Sequence, residues 1–206
     1  MQDQKNVDGM DWDVLTEIAN IGAGNAVTAL SQMISNKIDM HVPKVNMLTF
    51  SELSEILGGP ETLVAGIMVS LEDDIDGYML FMLENESAHH LVSQIMGHPP
   101  MAEVPETFSE IEQSALMEIG NIITGAYLNS ISKMTELNIK TSIPHIAIDM
   151  AGAILSVPAI EFGKLGDKAL LIESRFRDMD IDISGYFIMI PTMESYHAIL
   201  KALGIG

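Results

Sequence analysis

The chain has 206 residues, 48% of them hydrophobic, with no cysteine and a formal net charge of -19. That apolar content excludes a disordered chain and suffices for one compact domain with a sizeable core, or two small ones. The absence of thiols rules out disulfides, thiol catalysis and cysteine-based metal sites, and the acidity argues against nucleic acid and anionic membrane surfaces as partners.

Residues 1–10 are polar, with no basic region leading into an apolar stretch, so no signal peptide is expected. No apolar run approaches the roughly 18–20 residues of a bilayer span, and a cytoplasmic protein is the simplest reading. Asp11 is placed to cap a helix over about 11–35, with Asn36 near its end. Lys37 to Pro43 alternates as a strand does and ends where proline withholds a backbone donor. Val45 to Phe50 reads as a second strand, and Ser51 to Leu57 as a short helix stopped by Gly58-Gly59-Pro60. Thr62 to Leu71 and Asp76 to Leu83 read as a hairpin around the acidic turn Glu72-Asp73-Asp74. Glu86 to Met96 is a helix ended by Gly97. The stretch from Gly97 to Thr107 carries three prolines (Pro99, Pro100, Pro105) and connects two halves.

The second half starts with Ser109 and Glu112, a capping-box signature, and a long helix to about 135. Ile139 to Ile143 reads as a strand ending at Pro144, and His145 to Met150 as another. Ala151 to Ser156 is helix or turn, Ala169 to Arg177 and Asp180 to Ile190 are strands, and Thr192 to Leu203 is a helix stopped by Gly204. Gly77-Tyr78 recurs as Gly185-Tyr186, and Glu86-Ser87-x-His89 as Glu194-Ser195-x-His197, both offset by 108. An α-β-β-α-β-β-α unit repeated twice, over about 8–97 and 109–206, accounts for the chain. The expected class is α+β: one pseudo-twofold, internally duplicated domain. An antiparallel-rich sheet would carry the two long helices side by side on one face.

Within those helices one spacing occurs twice, 101 residues apart. Asp13, Glu17, Asn20 and Pro43 form the first copy; Ser114, Glu118, Asn121 and Pro144 form the second. A glycine follows each Asn by four positions, Gly24 and Gly125. Positions i, i+4, i+7 and i+11 share a helical face, so each copy makes one stripe. The apolar residues lie elsewhere: Leu15, Ile18, Ile21, Val27, Leu30 and Met33 in the first helix, and Leu116, Ile119, Ile122, Leu128, Ile131 and Met134 in the second. Asn is a mediocre helix former, and Gly costs about 1 kcal/mol against Ala in a helix interior. Two readings explain the glycines. Either another element of the same fold packs closely there, or a carboxylate, a carboxamide and a missing side chain make a flat surface for a partner.

The pattern (Asp or Ser)-x3-Glu-x2-Asn-x22-Pro resembles the signature of the CheC/CheX/FliY family of chemotaxis phosphatases. The segments Glu17-Ile-Ala-Asn-Ile-Gly-Ala-Gly-Asn25 and Glu118-Ile-Gly-Asn-Ile-Ile-Thr-Gly125 carry the likeness. Two copies in about 200 residues are most similar to the CheC branch of that family. The resemblance implies hydrolysis of the aspartyl-phosphate of the response regulator CheY. Asn20 and Asn121 would orient the attacking water, and Glu17 and Glu118 would pair with the regulator's lysine. Asp13 and Ser114 would add a hydrogen bond at the rim. Gly24 and Gly125 would admit the partner's backbone, while Pro43 and Pro144 would have no chemical part. Each copy would serve one regulator, so up to two per chain. The protein would need no cofactor of its own, since the regulator brings its Mg²⁺. The resemblance also implies a second partner, the receptor deamidase CheD, at Ala147 to Ile154, with Asp149 in that segment.

Other constellations carry less. His89-His90 are helix neighbours, which cannot chelate one metal as i,i+4 histidines would, and no metal site is expected. The segment Gly22-Ala-Gly24 lies within a helical pattern and is not a dinucleotide loop. Glu72-Asp73-Asp74-Asp76 lacks EF-hand spacing and reads as a solvated turn; Asp178, Asp180 and Asp182 have the i, i+2, i+4 start of such a loop, but Gly185 is misplaced for it, so they read as structural. The sixteen methionines read as core filler. The rival to catalysis is an adaptor that sequesters phosphorylated CheY or regulates CheD. A flagellar-switch component is the less favoured third class, since no switch-type extension follows residue 206.

Overall fold

The computed structural model describes residues 9–34, 37–40, 44–99, 103–162, 168–178 and 181–204. Helix α1 spans Gly9–Ile34, followed by strands β1 (Ile38–Met40) and β2 (Lys44–Thr49) and helix α2 (Phe50–Ile56). The hairpin β3 (Leu63–Asp73) and β4 (Gly77–Glu84) leads to α3 (Asn85–Ile95). The second half runs α4 (Glu110–Thr135), β5 (Ile139–Thr141), β6 (His145–Met150), α5 (Ala151–Phe162), β7 (Lys168–Asp178), β8 (Ile181–Pro191) and α6 (Met193–Ala202). The eight strands form one sheet in the order β1-β7-β8-β4-β3-β5, with β2 also on β7 and β6 also on β3. Every pairing is antiparallel. The sheet is therefore interleaved: the first half's β1 and β2 lie on the second half's β7, and β5 and β6 lie on β3.

Both faces of the sheet are covered, which explains why the central strands read as nearly continuous apolar runs. Alternate residues serve two cores. Met79, Phe81 and Leu83 of β4, with Ile183, Phe187 and Met189 of β8, face the layer of α1, α3 and α4. Leu80 and Met82, with Tyr186, Ile188 and Ile190, face α2 and α5. Gly77 starts β4 where the backbone of the neighbouring strand passes closest; a Cβ there would collide with the Ile190 carbonyl.

Caps set the helix ends. Ser109 Oγ accepts from the Glu112 backbone N–H, and Glu112 Oε2 accepts from the Ser109 N–H at 2.7 Å, the reciprocal box expected at the start of α4. Donation to its carboxylate by the Ser109 hydroxyl, also at 2.7 Å, and by the Ser109 N–H holds Glu112 below the ordinary carboxylate range. Thr49 and Glu52 make the same box on α2. Gly97 and Gly204 end α3 and α6 at φ of 67° and 73°, where a side chain would be strained.

Several expectations change. Asp11 lies inside α1, not at its cap. The strand before Pro144 stops at Thr141, because Ser142 turns the chain there: its N–H donates to the Ser70 carbonyl at 3.0 Å and its Oγ accepts from the Ser70 N–H at 3.1 Å. Helix α5 does not end at Ser156 but continues through Pro158 to Phe162, with Ile154, Leu155 and Pro158 buried beneath it. The acidic turn is not merely solvated. Asp74 Oδ2 accepts from the Asn138 N–H at 2.8 Å, and Asp73 pairs with Lys140 at 2.9 Å, tying the β3–β4 turn to the end of α4. That pair raises the lysine's pKa. Asn36, Pro43, Asp180 and the side chains of Asp13 and Leu15 lie outside the described residues.

Candidate active site

Helices α1 and α4 pack against each other on one sheet face, one glycine sitting at their contact and another where α4 meets the sheet. Gly22 sits under the ring of Tyr127, where a Cβ would come within 2.6 Å of Cε2. Tyr127 is buried and stacks on Phe187 with centroids 5.2 Å apart; burial pushes its pKa far above the ordinary phenol value. Gly120 faces the sheet, where a Cβ would come within 2.6 Å of Ile67 Cγ2. At the outer edge of the seam Asn25 Nδ2 donates to Ser130 Oγ at 2.8 Å, and that hydroxyl donates to the Ala126 carbonyl at 2.8 Å.

The two stripes turn the other way. Glu17 is exposed and Asn20 half-buried on α1; Glu118, Asn121 and Ser114 are all exposed on α4. Gly24 and Gly125 share this outward side, and a Cβ on either would meet nothing within 4 Å. Close packing within the fold therefore accounts for Gly22 and Gly120 but not for Gly24 and Gly125. The surface beside each Glu-Asn pair is open, and helix backbone is accessible there. Ser114 Oγ donates to the Glu110 carbonyl at 2.9 Å, leaving its lone pairs to accept, and Thr28 Oγ1 donates to the Gly24 carbonyl at 2.8 Å. Asp13 sits on α1 in the same row as Glu17. Pro144 is half-buried between β5 and β6.

The structure thus groups Glu17 and Asn20 with Gly24, and Glu118 and Asn121 with Ser114 and Gly125, but sets Asp149 apart. Asp149 is exposed on β6 and pairs with Val64, whose side chain belongs to the α2–α5 core on the far side of the sheet. Its Oδ1 accepts from the Met150 N–H at 2.7 Å. One apolar expectation fails at the site. Ile21 was placed on the buried face, yet it is 38% exposed, next to Asn20. Sequence reasoning missed Asn25 as the link between the helices; the only signal for it was a polar residue directly after an unusual glycine.

Known proteins bear on this geometry. The model of the CheC-like family matches residues 10–47, and that of the chemotaxis phosphatase CheX matches residues 65–160. The CheY-P phosphatase CheC of Bacillus subtilis is 32% identical over 93% of this chain and 93% of its own. This chain belongs to the CheC/CheX/FliY family of chemotaxis phosphatases. The flagellar motor switch phosphatase FliY of Bacillus subtilis is 30% identical over 68% of this chain and 36% of its own. The crystal structure of Thermotoga maritima FliY has the same fold, with a TM-score of 0.76 over 97% of this chain and 98% of that one, at 20% identity. Like its relatives the chain is a hydrolase of the family. Among the described residues no helix is long and apolar enough to cross a membrane.

Proposed function

We propose that this member of the family is a cytoplasmic CheY-P phosphatase with two active sites, one on α1 and one on α4. The observation that carries the reading is the open surface at Gly24 and Gly125, each beside an outward-facing Glu and Asn. A fold alone does not fix an activity; the site on it must. Hydrolysis of an aspartyl-phosphate proceeds by in-line attack of water on phosphorus, with the P–O bond to the aspartyl carboxylate breaking and that carboxylate leaving. The regulator itself supplies Mg²⁺ and a lysine to neutralise the phosphoryl oxygens, so the phosphatase contributes position more than charge. Asn20 and Asn121 are assigned to the water: an amide oxygen accepts from it while the amide nitrogen donates to the phosphoryl group. Glu17 and Glu118 are assigned to a charge-assisted pair with the regulator's lysine, which sets the register of docking.

Gly24 and Gly125 admit the regulator's backbone, and Asp13 and Ser114 contribute at the rim. One chain would hold up to two regulators. Asp149, on the other side of the sheet, is assigned to CheD together with the strand and helix that flank it, so both partners could bind at once. We further propose that the two halves are copies of one unit. What supports this is that β4 and β8, the strands carrying the repeated Gly-Tyr, lie side by side and antiparallel, as a twofold between the halves allows.

The test is phosphate release from labelled CheY-P with the wild type and with Asn20→Ala/Asn121→Ala. Loss of one positioned polar group typically costs on the order of 100-fold in turnover. The double variant should fall to the regulator's own rate while still binding it. Wild-type turnover by that variant would remove the water-orienting role. Retention of the phosphoryl group with the wild type bound would favour the sequestering adaptor.

A further inference from the structure

We propose that Ile21 and Ile122 are specificity-determining residues of the two sites, contacting an apolar side chain that the regulator presents beside its phosphorylated aspartate. This inference rests on the proposed function. The two isoleucines occupy equivalent places, each directly after the motif Asn and one turn beyond the motif Glu, so each stands on the opposite flank of its stripe from the Asn. Neither enters the buried core: Ile21 is 38% exposed and Ile122 half-buried. Isoleucine also loses rotamer freedom in a helix, so neither packing nor propensity explains its place there.

Their direction is set by neighbours. Asn25, one turn beyond Ile21, reaches across to Ser130, which stands two turns beyond Ile122 on α4. Each isoleucine therefore lies between its Glu-Asn stripe and the α1–α4 seam. A regulator laid on Gly24 or Gly125 meets the amide on one side and the isoleucine on the other. Ile111 extends the apolar rim on α4: it is 68% exposed and lies in the row of Ser114, Glu118 and Gly125. An apolar flank beside the charged pair that docks the regulator excludes bulk solvent, which strengthens that pair. Contacts of this kind are made equally in the ground and transition states, so they set affinity and not the rate of the bound complex.

The experiment isolates one site with Asn121→Ala and compares Ile21→Ala on that background, then does the converse with Asn20→Ala and Ile122→Ala. CheY-P turnover is read on those backgrounds; because a site lacking its Asn still binds, affinity for the beryllofluoride-activated regulator is titrated separately with Ile21→Ala/Ile122→Ala. The expected result is a five- to tenfold weaker Kd and raised KM, an unchanged kcat, and a melting temperature within about 2 °C of the background, as for surface positions. Unchanged Kd and KM, a fall in kcat alone, or a loss of binding that follows unfolding would overturn the proposal. If the wild type binds the regulator but releases no phosphate, the phosphatase reading fails while the Kd comparison still decides the isoleucines. If it does not bind at all, both fail.

Discussion

Two pairs of glycines in the same two helices do opposite things. Gly22 and Gly120 face inward and have no room for a methyl group, with Tyr127 and Ile67 against them. Gly24 and Gly125 lie a short way along and face outward into space where a methyl group would touch nothing. A glycine inside a helix carries the same propensity cost wherever it points. What differs is what the cost is offset by: helix-on-helix and helix-on-sheet contact in the first pair, and access to the backbone in the second. On the function proposed above, the first pair builds the protein and the second serves its partner.

Substitution should divide the pairs cleanly. Gly22→Ala and Gly120→Ala should each destabilise by about 1–3 kcal/mol through overpacking, lowering the melting temperature by roughly 2–10 °C in calorimetry. Equal stability in either variant would mean that the neighbour yields freely. Asn25→Ala removes the hydrogen bond to Ser130 and should cost about 1 kcal/mol in chemical denaturation, with a smaller effect on turnover than any change at Asn20 or Asn121. Gly24→Ala and Gly125→Ala should go the other way, gaining about 0.5–1 kcal/mol of stability while weakening the regulator's binding several-fold. Stabilisation with full binding would remove the partner from the explanation of these glycines.

The smallest effect is a control confined to the start of α4. His89 is buried, stacks on Phe108 with ring centroids 3.7 Å apart, and lies 3.9 Å from Glu112. Burial lowers its pKa from the ordinary 6.5. Below that value the unfolded chain takes up a proton that the folded one refuses, so stability falls as pH drops from about 6.5 towards the folded pKa. His89→Leu should flatten that slope in melts across the range, without altering the behaviour of either glycine pair.

Much of this was legible because local rules agreed. Ser109 and Glu112 announced the start of α4, the apolar alternation announced β3 and β4, and the glycines at 97 and 204 marked helix ends. The polar stripes could be read from spacing alone. Where the reading failed, a tertiary contact had overridden a local preference. The residue before a proline is disfavoured in a helix, yet α5 passes through Pro158 because its apolar residues have a second core to enter. Ile21 reads as inward by its type, and only the packing shows that the inward arc of α1 is already filled by Ile18, Ala19, Gly22, Ala23, Ala26 and Leu30. Spacing put Gly24 on the polar stripe, but it could not show what Gly22 packs against, since that is the ring of Tyr127 on a helix about 100 residues away.

The interleaved sheet has a bearing on how such a chain can be divided. Cut at the proline-rich connection, the first fragment keeps the β3–β4 hairpin, but its β1 and β2 have no ladder to join, since both pair with β7. The second fragment keeps β7–β8 and strands β5 and β6 in the same way, their partner left behind in β3. Neither piece could mature alone. On the function proposed above, a ribosome would have to release nearly the whole polypeptide before either Glu-Asn surface could form, so both would be born together.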